Sequence, residues 1–338
     1  MLAHKATAVF SLMNSSTPRS AAVARIGLLL NPLSGFNRRH PGVLAQLCSG
    51  LEHVVVHSVQ NPVEVQCALE KLADQHLDLL VICGGDGTVQ AVLSALFGKQ
   101  IFADIPPLAV LAAGTTNMIA ADAGLAGNPL RNLRRLLHPN NRGSIRCVTR
   151  PLLRLQVPGQ EDRYGMFLGL AAITQGICSY RQSLHHRSWH GLPGICRTIL
   201  SSLGAAVLAR SRNRLGTQLI LATNTAAEQR VKALLALITT HERLLFGLKP
   251  FWGKEKGPLR CTVVETRAPG LLWRLPLLAM GKAWAAGTDQ GYHSYNTGML
   301  RLWLTSPLAL DGELYHPKDA SEPVQVSYGG SASFVRSC

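Results

Sequence analysis

The sequence predicts an α/β N-terminal domain with a mostly parallel sheet, followed by a mostly antiparallel β C-terminal domain. Three observations point there. Residues 25–137 alternate short apolar runs with helical segments. The largely apolar run Leu77 to Cys83 is short enough to be a strand covered on both faces, and it ends on Gly84-Gly85-Asp86-Gly87-Thr88. From about Gly143 the texture changes to strand-like runs joined by polar turns.

In chain order, Arg25 to Leu30 is the first strand, and Asn31-Pro32 ends it because proline cannot continue a central ladder. Ser34 and Gly35 supply a hydroxyl and a pliant loop, with Arg38, Arg39 and His40 adding positive charge beyond it. Pro41 to Leu51 is helical, and His53 to Val59 is a strand around Val54, Val55 and Val56. Asn61-Pro62-Val63-Glu64 starts a helix that runs to about Gln75: Asn as N-cap, Pro at the first helical position, Glu three after the cap. After the Leu77–Cys83 strand, Thr88 opens a helix over Val89 to Phe97. Leu108 to Leu111 is a fourth strand, ending in Ala113-Gly114-Thr115-Thr116-Asn117. Asn128-Pro129 repeats the cap pattern before a helix to about Leu137. Such alternation implies right-handed crossovers and a parallel sheet, which binds ligands at the carboxyl ends of its strands. All three loops fall at such ends.

Beyond the boundary, Ile145 to Val157 and Arg163 to Ile173 read as a hairpin across the polar turn Pro158 to Asp162. Ser188 to Gly194 is a loop and Ile195 to Arg210 a helical segment. Strands are expected at Leu215–Ala222, Val231–Thr239, Leu259–Glu265, Met299–Leu304 and Val324–Tyr328, with an apolar helix over Leu271 to Trp284. The expected units are residues 1–24, a disordered leader; 25–145, an α/β domain; 146–314, a β-rich domain; and 315–338, a tail.

The glycine loop carries the chemistry. Its glycines let the backbone approach a ligand, and the helix behind it presents free N–H groups and a positive dipole end to a phosphate. A carboxylate at that place, Asp86, makes sense if it serves a metal ion or accepts a proton. A plain strand–turn–helix corner, with Asp as a turn residue, is the competing reading of the loop alone.

Composition narrows the function classes. The chain has 338 residues, of which 47% are hydrophobic and 16% charged, enough for two globular domains. A net charge of +15 suits an anionic membrane or nucleic acid, with arginines dense at Arg131, Arg134, Arg135, Arg142, Arg146, Arg150 and Arg154. Aromatics are only 6% and no nucleic-acid signature accompanies the charge, which argues against nucleic acid. Eight cysteines are scattered without a C-x-x-C, so neither a disulfide frame nor a zinc site is expected, and the compartment is a reducing one. His185, His186 and His190 lack partner cysteines or carboxylates and read as surface residues or as headgroup contacts. No run reaches the ~18 apolar residues of a membrane span.

The four motifs Asn31-Pro32-Leu33-Ser34-Gly35, Gly84-Gly85-Asp86-Gly87-Thr88, Ala113-Gly114-Thr115-Thr116-Asn117 and Asp311-Gly312-Glu313 occur in this order. Together they resemble the catalytic domain of the diacylglycerol kinase family, soluble lipid kinases of the sphingosine kinase and NAD kinase superfamily. The resemblance spans roughly residues 25–335. It implies an ATP-dependent lipid kinase of phospholipid metabolism acting on a diacylglycerol- or sphingoid-like hydroxyl. The cradle would be Gly84, Gly85, Gly87 and Thr88, with Thr115 and Asn117 from the second loop. Asn31, Ser34 and Ser58 would lie along the nucleotide. Glu313 is the implied proton acceptor and Asp86 the holder of Mg²⁺; in sphingosine kinases the loop Asp is often given the base role instead. The tail after Leu314 would return to the first domain. The resemblance further implies a cytoplasmic protein, peripheral on anionic membrane, and a homodimer. Read alone, Asp311-Gly312-Glu313 is a hairpin turn, since Asp-Gly is a strong turn dipeptide.

Several positions depart from the family pattern. Gln90 and Ala91 stand where many bacterial members have Asn-Glu, and Met118 stands where an Asp is usual. Pro250 to Glu255 is a degraded form of an element that builds a second, structural Mg²⁺ site. The alternatives are an NAD kinase-like enzyme and a non-catalytic lipid- or nucleotide-binding protein. The Asn-Pro-x-Ser-Gly loop and the late Asp-Gly-Glu favour the lipid kinase over the first. Retention of Asp86, Thr88, Thr115, Asn117 and Glu313 disfavours the second.

Overall fold

The computed structural model describes residues 24–138, 145–183, 216–223, 228–244, 247–282 and 290–337. The leader, the expected loop at 188–194 and the helix at 195–210 lie outside them, as do His185, His186 and His190.

The first domain opens with β1 (Ile26–Leu30), two short helices α1 (Gly35–Arg39) and α2 (Val43–Cys48), β2 (Val54–Ser58) and α3 (Pro62–Ala73). It continues with β3 (Leu79–Gly84), α4 (Asp86–Lys99), β4 (Leu108–Ala112), α5 (Met118–Asp122) and α6 (Pro129–Leu137). The sequence cues for α3 hold at atomic level: the Asn61 side chain accepts from Glu64 N and Pro62 follows. Asn128 caps α6 in the same way. α4, however, begins at Asp86 on the N-cap Gly85, earlier than the expected opening at Thr88. The glycine loop is thus the first turn of the helix itself.

β2, β1, β3 and β4 are neighbours in that order and all parallel. Apolar side chains fill both faces, as strands buried on two sides require. Leu29, Leu80 and Ile82 pack under α3 and α4. Leu28, Val81 and Cys83 pack towards α2 and α6. The chain turns from β1 to β2 on one side and crosses back to β3 on the other. That reversal opens a crevice at the carboxyl ends of β1 and β3.

The second region contains β5 (Ile145–Gln156), β6 (Arg163–Gly165), β7 (Phe167–Ala171), α7 (Ala172–Ser183), β8 (Thr217–Thr223), β9 (Gln229–Thr239) and β10 (Leu259–Glu265). After α8 (Leu271–Ala279) come β11 (Tyr292–Thr297), β12 (Met299–Trp303), β13 (Leu308–Leu310), β14 (Glu313–Tyr315) and β15 (Val324–Ser337). The pairings β7–β9, β8–β9, β9–β10, β10–β11, β12–β8 and β13–β7 are antiparallel, around a second apolar core.

Two expectations need correction here. The expected strand Arg163–Ile173 breaks at Met166, and Ile173 already lies in α7, because Ala171 turns the chain at φ 58°. The expected strand Val324–Tyr328 runs on to Ser337: its first half pairs with β12, and its far end sits parallel to β4 at Phe334. β5 lies antiparallel along nearly all of it, so β15 is a strand common to both regions.

Candidate active site

The three loops meet at the crevice. Asn31 follows β1, where its backbone N–H donates to Cys83 O at 2.9 Å. Its side-chain Nδ2 donates to Thr88 Oγ1 at 2.8 Å, and its Oδ1 accepts from Leu33 N at 2.9 Å. Ser34 Oγ donates to Asn31 O at 2.8 Å. Phe36 N donates to Ala113 O at 2.9 Å, joining the first loop to the second-glycine loop. In that loop Asn117, at φ 52°, accepts from Gly114 N at 2.7 Å and donates to Gly114 O at 3.0 Å. Gly85 and Gly114 touch backbone to backbone: a Cβ on Gly85 would lie 3.3 Å from Gly114 Cα, and one on Gly114 would overlap Gly85. Only glycine allows this approach. No side chain caps the start of α4, so its first-turn N–H groups and positive dipole end face the crevice.

Asp86 is more tightly engaged than a free metal ligand. One carboxylate oxygen accepts from Met118 N at 3.1 Å and the other from Ile119 N at 3.0 Å. The residue thereby holds the start of α5 against the start of α4. Burial pushes its carboxyl pKa up, against the pull of those amides and of the nearby His241.

Glu313 arrives from the other region. Asp311 and Gly312, at φ 48° and 91°, form a two-residue turn of the primed type between β13 and β14. The turn and the site turn out to be one object. Asp311 is buried, and its carboxylate oxygens accept from Met166 N and Phe167 N, each at 2.9 Å. That anchors the hairpin on the β6–β7 break. Burial, with the Asp86 charge adding to it, pushes the Asp311 carboxyl up to about 8. The anchored turn carries Glu313 to the glycine loop: a Cβ on Gly87 would lie 2.7 Å from Glu313 Oε1. Gly87 is the residue after Asp86, so the two carboxylates flank the same helix start.

Of the residues read from sequence, Asn31, Ser34, Gly84, Gly85, Asp86, Gly87, Thr88, Asn117 and Glu313 gather here. Thr115 is exposed on the second loop. Ser58 is exposed at the end of β2, opposite Leu30, with β1 between it and β3. It lies on the same edge, two strand spacings (~9–10 Å) from the glycine loop.

Several contributors escaped the sequence reading. Asn37 is buried, and its Nδ2 reaches Asn31 O at 2.8 Å, Ser34 Oγ at 3.0 Å and Cys83 O at 3.3 Å, fixing the first loop to β3. The departure at Gln90 has a structural use: Gln90 Nε2 donates to Ser94 Oγ at 3.1 Å and Tyr315 Oη at 3.0 Å, tying α4 to β14. His241, fully buried just after β9, places Nδ1 2.9 Å from Asp122 Oδ2 at the end of α5. Arg150 Nε lies 3.4 Å from the same oxygen, and the other ring nitrogen of His241 is buried without a hydrogen-bond partner. Asp86 and His241 therefore hold α5 from its two ends. Of the arginine group, Arg150 and Arg154 are spent on internal ion pairs, with Asp122 and Glu242 and with Asp162. Arg131, Arg134 and Arg146 are exposed, and Arg142 lies outside the described residues.

Among the described residues no group of three or more His, Cys, Asp or Glu is placed to hold a metal ion. Mg²⁺ does not require such a cage, since it keeps several waters and takes one or two carboxylates plus substrate phosphates. Asp86 beside an uncapped helix start fits a cation that arrives with a nucleotide. The degraded element at Pro250–Glu255 is tied to β11 instead: Trp252 N and Gly253 N donate to Ser294 Oγ, and Asn296 N donates to Glu255 Oε2. No helix among the described residues is long and apolar enough to cross a membrane.

Comparison with known proteins bears on the fold. Residues 25–145 match the family model of the diacylglycerol kinase catalytic domain. No curated protein sequence matches the chain. The fold is similar to that of a diacylglycerol kinase from Bacillus anthracis str. Sterne, at 13% identity and TM-score 0.54, over 93% of this chain and 96% of that one. Two further structures from the same strain, provisionally assigned as diacylglycerol kinases, are similar at 14% and 15% identity. Their TM-scores are 0.59 and 0.55, each covering 92% of this chain and 96% of the other. Residues 25–145 thus match the diacylglycerol kinase catalytic-domain model, and the chain as a whole has the fold of these bacterial proteins.

Proposed function

We propose that the protein is an ATP-dependent lipid kinase that transfers the γ-phosphoryl group to the hydroxyl of a diacylglycerol- or sphingoid-like lipid at an anionic membrane surface. The observation that carries this reading is the Glu313 carboxylate against Gly87, a proton acceptor from one region seated on the phosphate-type loop of the other. The first-turn N–H groups of α4 and the loops ending β1 and β4 bind and orient the phosphates. Asn31 sets Thr88, and Asn37 sets Asn31. Glu313 takes the proton as the lipid oxygen bonds to the γ-phosphorus and the bond to the β-phosphate bridge breaks, releasing ADP. Asp86 would hold Mg²⁺ with the nucleotide phosphates, and the ion would there neutralise phosphate charge. Asp311, its carboxyl pushed up to about 8 chiefly by burial, anchors the turn through the amides of Met166 and Phe167.

The test is label transfer from γ-labelled ATP to a mixed lipid extract and, separately, to NAD. Label in a chloroform-soluble product supports the proposal. Label in NAD with none in lipid replaces it with the NAD kinase reading, and label in neither removes the kinase activity.

A further inference from the structure

α8 presents a face that the described residues leave uncovered. Its inner side, Leu271 and Leu278, packs with Leu234, Val264, Ala268 and Tyr292. Its rotation is fixed by Arg274, whose guanidinium lies 5.3 Å above the Tyr292 ring and donates to Gln290 at 2.8 Å. The outer side then carries Trp273, Leu277 and Met280, at spacings of four and three, on one stripe. They are 88%, 42% and 59% exposed, and Leu248 beside them is 39% exposed. A large bare tryptophan on an apolar stripe marks an interaction surface rather than a core.

The surroundings say what covers it. Lys249, Arg267 and Lys282 are exposed around the stripe. Lys249 and Lys282 are held at the helix by backbone bonds to Ala279 O and Leu277 O, at 2.9 and 2.8 Å. The neighbouring Glu265 is engaged by His293 at 2.8 Å. An apolar stripe with Trp at its tip and a ring of bases suits lipid headgroups over acyl chains. We propose that α8 docks the protein on an anionic bilayer, with Trp273, Leu277 and Met280 entering the headgroup region and the three bases meeting the lipid phosphates. The choice of a bilayer over a protein partner rests on the lipid-kinase reading above.

The experiment is sedimentation of the full chain with vesicles of phosphatidylglycerol and phosphatidylcholine, against pure phosphatidylcholine, for wild type and the double variant Trp273→Glu/Leu277→Glu. Val63→Glu, at a residue 72% exposed far along the chain, is the control. The double variant should partition at least about ten-fold more weakly and the control like wild type, with binding falling as salt rises. Transfer to lipid in vesicles should fall in step, and transfer to a dispersed short-chain lipid should not. A double variant that sediments like wild type overturns the docking proposal, whatever its activity. So does a wild-type dimer that the double variant dissociates, since the face would then belong to a second copy. Wild type that sediments through α8 but phosphorylates neither lipid form keeps the docking surface and removes the kinase reading.

Discussion

Asp86 does two things that separate under mutation. Under the proposed function its charge serves the phosphate site, while its two oxygens satisfy the amides of Met118 and Ile119. The sequence suggested only the first, because the amides lie 32 and 33 residues away. Asp86→Ala leaves both amides without an acceptor, at about 1–3 kcal/mol each. Asp86→Asn keeps one acceptor and the shape. We expect both variants to lose phosphoryl transfer, with only Asp86→Ala melting well below wild type. An Asp86→Ala protein as stable as wild type would show that α5 does not depend on this carboxylate. Gly114→Ala offers an independent check of the cradle. Its Cβ would overlap backbone at Gly85, which cannot swing aside as a side chain can. ATP should no longer raise the melting temperature of that variant, and an unchanged shift would mean that the two loops do not form the nucleotide seat.

The hairpin β13–β14 and helix α5 show how elements carry the site. Asp311 holds the turn with its folded pKa at about 8, above the ~3.9 of an unfolded Asp. The native state therefore holds a proton that the unfolded chain has lost between those values. This contribution to stability is fully present below pH ~4 and is lost as pH rises through about 8. Asp86, shifted the same way, adds to the slope. Chemical denaturation across pH 4–8 should give a shallower fall for Asp311→Asn than for wild type, and an equal slope would exclude Asp311 as its source. At α5, His241→Ala removes one of the two partners of the buried Asp122 carboxylate, leaving Arg150. A loss of about 1–3 kcal/mol is expected, with transfer falling because the anchor opposite Asp86 is gone. Calorimetry and turnover on the same sample would check both.

Legibility followed locality. Caps, strand runs and glycine loops are written in adjacent residues, so α3, α6 and the three loops could be read directly. The His241–Asp122–Arg150 contact joins residues 28 to 119 apart, and no local pattern announces it. Asn37 reads as an ordinary polar residue of a short helix until its three contacts to Asn31, Ser34 and Cys83 are seen. The strand–helix junction at Ala171 depends on one left-handed residue without glycine, which propensity does not foresee.

At the scale of the molecule, β15 binds the two regions into one sheet, alongside β12 and β5 and then β4. The crevice is therefore built from a parallel sheet that supplies the three loops and an antiparallel one that supplies Glu313. Splitting these contributions tests the account most directly. The measurement is ATP affinity and label transfer to lipid for Glu313→Gln beside wild type. The account predicts unchanged ATP affinity, since no phosphate contact is removed, with transfer reduced about 10²–10⁴-fold by loss of the general base. Wild-type transfer by Glu313→Gln would contradict it, and the base would then have to be sought at Asp86.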